Sequence, residues 1–80
     1  MVVIATSNKV KEIRARHNIT QLQLAEFLGI GVMNLRRKEK TETMWKEEEM
    51  HLVVYFFNAY YGEQFKLDDL FTCEIADIPG

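Results

Sequence analysis

Residues 20–40, TQLQLAEFLGIGVMNLRRKEK, constrain the fold of this 80-residue chain more than any other stretch. Thr20 is a preferred N-cap residue, and Gln23 three positions later completes a capping-box pattern, which predicts a helix start. Gly29 can adopt the positive φ of a sharp turn, and Gly31 is a permissive N-cap for the next helix. The pattern therefore predicts two short helices joined by a glycine turn, with positive charge gathered at the end of the second.

Apolar periodicity predicts three further helices around this pair, over residues 9–17, 46–61 and 67–71. The longest carries an inner stripe at the i, i+3, i+4, i+7 spacing of a helix face. The members of that stripe are Met50, Val53, Val54 and Phe57. The residues predicted to be buried in the helix pair are Leu22, Ala25, Leu28 and Leu35. These elements together predict an all-α fold.

The predicted architecture is one compact five-helix domain over residues 1–80. Its core covers residues 8–71, and an apolar N-terminal arm covers residues 1–5. A C-terminal tail covers residues 72–80. The arm is rich in β-branched residues and fits either a short strand or a segment docked on the domain, and the loosely alternating tail also fits a strand. Short strands at the termini therefore remain open.

Lys38 occupies a position where helical periodicity, one turn after Leu35, asks for an apolar side chain. Its aliphatic stem can lie along the core while the ammonium group reaches solvent or a phosphate. The polar loop after it precedes Trp45, the only tryptophan in the chain. We expect Trp45 to hold this loop against the core.

The formal net charge of −2 hides an uneven distribution of charge. Residues 1–40 hold eight basic and three acidic residues, a net charge of +5, whereas residues 41–80 hold two basic and nine acidic residues, a net charge of −7. Such polarity lets one face attract phosphate while the other maintains solubility. The basic residues of the first helix, expected to be solvated, are Lys9, Lys11, Arg14 and Arg16. The charge beside the helix pair favours a nucleic-acid-binding face.

Several functional classes have no signature in this sequence. There is no phosphate-cradling glycine loop, nucleophile–base pair or metal cluster, and His17 and His51 have no second ligand at metal spacing. We therefore expect no enzyme activity, no cofactor and no small-molecule ligand. The apolar run at the start spans four residues, too short for a signal peptide or membrane span. The single Cys73 fits a reducing compartment, so we expect a cytoplasmic protein.

Over about residues 8–71 the chain resembles the XRE, or lambda repressor/Cro-like, helix-turn-helix family. The resemblance rests on the following residues: Val10 and Ile13, Ile19-Thr20-Gln21, Ala25, Gly29-Ile30, Leu35, and Leu67-Asp68-Asp69-Leu70-Phe71. The chain is most similar to small phage-encoded Cro or repressor domains. These often carry Arg-Lys as at Arg37-Lys38, followed by an aromatic residue and a glutamate as at Trp45 and Glu49. Lys38 thus matches a subfamily feature.

The chain also departs from the family pattern in three places. The segment 59–66 is longer than the usual link between the last two helices. Exposed aromatic residues replace commonly polar positions in the helix before it. Val32 and Met33 stand where many relatives carry polar residues that read bases. The third departure bears directly on which bases the chain reads.

The resemblance implies that the second helix of the pair enters the major groove of DNA while the first crosses the backbone. The residues implied for base readout are Gln21, Val32, Met33, Arg36 and Arg37. The residues implied for phosphate contact or weaker readout are Thr20, Asn34, Lys38 and Lys40. An arginine can bind guanine, Gln21 suits adenine or phosphate, and the apolar pair can contact only features such as thymine methyl groups. Structural alternatives are that Gln21 only starts a helix and that Arg36 and Arg37 pair with Glu39 or Glu42.

A second apolar surface lies off the inner stripe of the helix over 46–61. Its members are Leu52, Tyr55, Phe56 and Tyr60. One small domain does not need this surface, so we expect it to bind either the chain termini or a partner, and we assign it as the candidate dimer interface.

The expected function is that of a sequence-specific DNA-binding transcriptional regulator, of the phage or prophage Cro or repressor type. We expect it to bind a near-palindromic, double-stranded operator as a homodimer and to bind no membrane. The alternative is a protein-interaction module of the antitoxin or antirepressor type on the same helical scaffold. The apolar Val32 and Met33 and the second apolar surface motivate that alternative.

Overall fold

Five helices lie between two strands that come from opposite ends of the chain. The computed structural model describes residues 2–76, and the side chains within residues 4–75. The elements in order are β1 (Val2–Asn8), α1 (Val10–Arg16), α2 (Gln21–Leu28), α3 (Val32–Glu39), α4 (Glu47–Tyr61), α5 (Leu67–Leu70) and β2 (Phe71–Ala76). The predicted helix count is confirmed, and the predicted helix ends are correct to within about one residue.

The strands show that the predicted all-α fold is wrong, because the architecture is mixed α/β. β1 and β2 pair antiparallel, from Val2 opposite Ala76 to Asn8 opposite Phe71. A shift in register interrupts this ladder just after Ala5. The β-branched start and the alternating tail each fit a strand, but local periodicity carries no information on pairing between the two ends of a chain. The sheet therefore replaces the predicted arm and tail, of which residues 1 and 77–80 lie outside the described residues.

The sheet joins the helices at its inner end. Ala5 is buried, and Phe71 is fully buried with its ring edge-on to Trp45 at 5.1 Å between ring centroids. The backbone N–H of Lys9 donates to the carbonyl of Leu70 at 2.8 Å. These contacts bind both terminal strands to the core and confirm the predicted burial of Trp45.

The helix pair α2 and α3 forms as its local signals predict. The Thr20 hydroxyl accepts from the Gln23 N–H at 3.1 Å, and the Gln23 side chain accepts from the Thr20 N–H at 2.8 Å, which completes the capping box. Gly29 has a φ of 72° in the left-handed region, where a side chain is disfavoured. Gly31 is the N-cap of α3. The turn between the two helices is thus set by Gly29.

The buried face of α2 differs from the predicted one. Leu24 and Ala25 are fully buried and Leu28 is half-buried, but Leu22 is 53% exposed. At roughly 100° per residue, Leu22 lies about 110° from the mean direction of Leu24 and Ala25. The prediction that Leu22 is buried is therefore wrong, since the core contacts the opposite flank of the helix.

Helix α4 supplies the centre of the core. Met50, Val53 and Phe57 are fully buried, which confirms three members of the predicted stripe. Val54 is only half-buried, and Phe56 is instead 7% exposed and packed in the core. The buried face of α4 is therefore rotated toward Phe56.

Candidate nucleic-acid interface

Helix α3 presents one face to the core and the other to solvent. Leu35 is fully buried and Lys38 is buried, while Val32 is half-buried. The exposed residues along and just after this helix are Met33, Asn34, Arg36, Arg37 and Lys40. Four of the five residues predicted for base readout thus belong to α3. Met33, Arg36 and Arg37 are exposed, and Val32 is half-buried.

The ammonium group of Lys38 is buried, whereas the sequence predicts that it reaches solvent or a phosphate. Its Nζ lies 2.9 Å from Glu49 Oε1 and donates to the carbonyl of Met44 at 2.9 Å, with both charged side chains under one-tenth exposed. Burial requires a partner for an ammonium group, and Glu49 supplies it. The predicted phosphate contact by Lys38 is therefore wrong. The sequence singles out Lys38 and Glu49 separately, and an inward lysine followed by a glutamate in the next helix is the signal that pairs them.

A second buried ion pair, which the sequence does not predict, joins α1 to α3. Arg14 donates through Nε and Nη2 to the two oxygens of Glu39, at 2.6 and 2.9 Å, and through Nη1 to the carbonyl of Ile19 at 2.9 Å. The expectation that Arg14 is solvated is therefore wrong, because its side chain is buried. Its position four residues after the buried Val10 places it on the inner face of α1, which is the signal that identifies it.

The C-terminal end of α3 is consequently held by contacts from α1, α4, β1 and Trp45. Lys38 is paired with α4, and Glu39 is paired with α1. The Asn8 side chain donates to the carbonyls of Lys38 and Glu39 at 3.3 and 3.2 Å, and the Trp45 indole donates to the carbonyl of Lys38 at 3.1 Å. The exposed face of α3 is therefore attached to a rigid support.

Gln21 borders a polar concavity of about 220 Å³, together with Arg36 of α3 and Lys40, the residue just after α3. Its lining residues are Lys11, Gln21, Arg36, Glu39 and Lys40. The Gln21 side chain donates from Nε2 to Glu39 Oε1 at 3.0 Å. Because Glu39 is neutralised by Arg14, the accessible charge around this concavity is positive. Lys11, expected only as solvated surface, is a further residue at this site.

The remaining predicted contacts are placed differently. Thr20 is exposed, and its hydroxyl takes part in the capping box of α2. Asn34 is exposed near the start of α3. Arg36 and Arg37 form no ion pair with any other described residue, and Glu39, one of the two partners considered for them, is paired with Arg14. Among the described residues, neither arginine therefore pairs with Glu39 or Glu42, which was the alternative to a DNA contact.

The predicted dimer surface lies on α4, and two of its aromatic residues pack against Phe27 of α2. Tyr55 is 57% exposed and Tyr60 is 62% exposed, and both rings contact Phe27, with centroids at 6.4 and 5.9 Å. Leu52 is also exposed. Phe56 lies beneath the tyrosines with its ring 4.8 Å from that of Phe27, so its assignment to an accessible surface is wrong. Phe56 is core, because α4 turns it toward Phe27 and Phe57.

The titratable groups of the described chain form no recognisable reactive centre. Burial, followed by the charges of Asp68 and Glu47, raises the pKa of the Cys73 thiol, which keeps it protonated at neutral pH. No group of three or more histidine, cysteine or acidic residues that could hold a metal ion occurs among residues 2–76. No helix in the same range is long and apolar enough to cross a membrane.

No protein-family model matches the chain, and no curated protein sequence matches it. The resemblance to the lambda repressor/Cro-like family therefore remains a prediction, carried by the residues described above.

Proposed function

We propose that this chain is a sequence-specific DNA-binding transcriptional regulator of the lambda repressor/Cro-like type, with α3 as its recognition helix. One observation carries the proposal. The inward residues Leu35 and Lys38 are fixed in the protein, whereas Arg36 and Arg37 extend from the exposed side with no ion-pair partner among the described residues. Two unpaired arginines on the free face of a rigidly held helix are suited to the acceptors of a DNA groove.

The proposed readout divides between base edges and phosphates. Arg36 or Arg37 binds guanine O6 and N7, a contact worth about 1–3 kcal/mol of discrimination. Val32 and Met33 contact apolar features, chiefly thymine methyl groups, and Gln21 contributes from the start of α2. Residues assigned to phosphate or weaker contacts are Thr20, Asn34 and Lys40. Lys11 joins this set because it lines the same concavity as Arg36 and Lys40.

The proposed assembly is a homodimer on a near-palindromic operator, with half-sites about one helical turn apart. Tyr55, Tyr60 and Leu52 form its interface, because this exposed cluster is apolar and belongs to α4 rather than to the recognition helix. Binding at a promoter represses transcription by occlusion. This mode of action, in the cytoplasm and in a phage or prophage context, follows from the resemblance.

Selection of binding sites from a random duplex library tests the proposal. The full chain should enrich a shared motif with approximate two-fold symmetry. The double variant Arg36→Gln/Arg37→Gln should lose that motif, while the matched control Arg16→Gln/Lys46→Gln, with the same change in charge, should retain it. A library that shows no enrichment after selection with the wild-type chain would contradict the proposal.

The second proposal, a protein-interaction module, is favoured by one observation. Tyr55 and Tyr60 form an exposed aromatic cluster with Phe27, and Met33 adds an exposed apolar side chain on α3. A module of this kind binds a protein partner and not DNA. Absence of any binding to duplex DNA at low salt would favour it over the regulator.

A further inference from the structure

The amide group of Gln21 is held in one orientation by the protein. Its Nε2 lies 3.0 Å from Glu39 Oε1. An ionised carboxylate only accepts hydrogen bonds, so the side of the amide that faces Glu39 is the NH₂ group. The alternative orientation would place two acceptor oxygens together. Glu39 therefore fixes which way the amide points.

Glu39 is itself held in place by Arg14. Arg14 binds both of its oxygens, and the Glu39 side chain is only 2% exposed. Arg14 is anchored in turn by the carbonyl of Ile19, two residues before Gln21. A chain of contacts thus runs from the inner face of α1 through the end of α3 to the first residue of α2.

The orientation leaves Gln21 with one N–H and one carbonyl oxygen for another molecule. The amide carries two N–H donors, one of which is used by Glu39. Gln21 Oε1 has no hydrogen-bond partner among the described residues, and Gln21 lines the open concavity beside Arg36. Gln21 therefore presents one donor and one acceptor next to a proposed base-reading arginine.

We propose that Gln21 reads an adenine in the major groove and that Arg14 and Glu39 are the positioning residues for this readout. The assignment rests on the proposed function. Adenine offers an acceptor at N7 and a donor at N6, which matches one N–H and one carbonyl oxygen. Guanine offers acceptors at both N7 and O6, and therefore requires two donors. Gln21 has only one donor free, so its orientation selects adenine against guanine.

A phosphate fits this group less well than adenine does. Phosphate oxygens only accept, so a phosphate would use the free N–H and leave the Gln21 carbonyl oxygen without a donor. The cations Lys11 and Lys40, on the border of the same concavity, supply charge that suits phosphate better. Gln21 consequently specifies sequence, and the two lysines fix position.

The first test compares selected binding-site profiles of the wild-type chain and Gln21→Leu. Gln64→Leu, the same substitution at an exposed position between α4 and α5, is the matched control. Gln21→Leu should lose the preference for adenine at one position per half-site, by roughly 10- to 100-fold. Gln64→Leu should leave the profile unchanged. Affinity that falls equally for all sequences in Gln21→Leu would identify a phosphate contact and overturn the assignment.

Base analogues sharpen this comparison. Replacing the selected adenine by 7-deazaadenine removes the N7 acceptor, so wild-type affinity should fall by roughly 10-fold or more. The same replacement should cause no further loss in Gln21→Leu, because the contact is already absent. An equal loss in both proteins would show that another residue contacts this base, and would overturn the assignment.

The positioning role requires a readout other than stability. In the double variant Arg14→Met/Glu39→Leu, both charges are removed together and the Gln21 amide loses its internal acceptor. We expect the adenine-to-guanine preference at that position to fall toward unity, while affinity for unrelated DNA is kept. A purely structural ion pair would change the melting temperature and leave the base preference intact, which would overturn the positioning role.

Different results would overturn the proposed function and the adenine assignment of Gln21. A wild-type chain that selects no DNA sequence overturns the proposed function, and the readout by Gln21 with it. A wild-type chain that selects a motif indifferent to Gln21→Leu retains the proposed function and overturns only the adenine assignment.

Discussion

Two consecutive residues of α3, Lys38 and Glu39, carry opposite charges and are paired with different helices. Lys38 is bound to Glu49 of α4, and Glu39 is bound to Arg14 of α1. Taking such groups out of water is costly, and the attraction between partners offsets that cost only when both are present. The two pairs therefore contribute more to the orientation of α3 than to net stability.

Arg14→Met should lower the free energy of unfolding by about 3–5 kcal/mol, because it leaves Glu39 buried without a cation. Arg16→Met on the same helix is the control, since the Arg16 side chain is 56% exposed where it pairs with Glu63. Loss of an exposed pair should cost about 1 kcal/mol or less. Urea denaturation measures both, and equal effects of the two substitutions would contradict the buried role of Arg14.

Substitution of Lys40 should weaken DNA binding, whereas substitution of Lys38 should lower the stability of the fold. Lys40→Met should reduce the slope of log affinity against log salt by about 0.9 for each phosphate that the chain no longer neutralises. Lys38→Met should leave that slope unchanged and destabilise the fold, because Lys38 is paired with Glu49. Binding titrations at several salt concentrations distinguish them. A reduced slope in Lys38→Met would show that its ammonium group does reach DNA.

At the level of elements, local signals predicted what depends on neighbours in sequence. The sequence predicts the capping box at Thr20 and the left-handed backbone conformation of Gly29, because each signal spans only a few residues. The sequence does not predict the exposure of Leu22 or the burial of Phe56, because both depend on which flank of a helix packs against the rest of the core. The sequence is compatible with a strand at each terminus, but it does not predict their pairing, because the two strands come from opposite ends of the chain.

The same distinction applies to the candidate site. The sequence predicted the exposed arginines of α3, because the buried Leu35 fixes which side of that helix faces inward. It did not predict the pairing of Arg14 with Glu39 or of Lys38 with Glu49. Those pairings require knowledge of how α1, α3 and α4 approach one another. The residues that contact solvent were therefore easier to assign than the residues that support them.

The turn between α2 and α3 depends on one backbone conformation. Gly29→Ala should lower the free energy of unfolding by about 1–2 kcal/mol, since an L-residue resists the left-handed region. The cost is conformational, because a Cβ at this position meets no atom within 4 Å. Gly29→Asn is the matched comparison and should cost less, since asparagine tolerates this region better. Thermal or urea unfolding measures the difference, and equal costs would contradict the explanation.

At the level of the whole molecule, the proposed dimer depends on a surface that the protein exposes. Tyr55→Glu/Tyr60→Glu should convert a dimer into monomers and should change the free energy of unfolding far less than Phe56→Glu. Both tyrosines are more than half exposed, whereas Phe56 is core. Sedimentation velocity measures the oligomeric state. A dimer that survives the double substitution would move the interface elsewhere, with the strands of the sheet as the next surface to test.

Charge is divided along the sequence in the way that the proposed function requires, with a net charge of +5 on residues 1–40 and −7 on residues 41–80. The residues that line the concavity beside α3 include three cations, whereas the acidic residues Glu47 and Glu48 start α4. Under the proposed function, this positive charge attracts DNA phosphates, and the attraction weakens with added salt. The net negative charge of the chain is therefore compatible with DNA binding.

Titration of the selected operator duplex and a scrambled duplex, repeated from about 50 to 200 mM salt, tests the central proposal most directly. If the dimer neutralises six or more phosphates, its affinity should fall by about 10³-fold or more across this range. At physiological salt the operator should bind roughly 10³-fold or more tightly than the scrambled duplex. Absence of binding at the lowest salt concentration, or equal affinity for the two duplexes, would contradict a sequence-specific regulator.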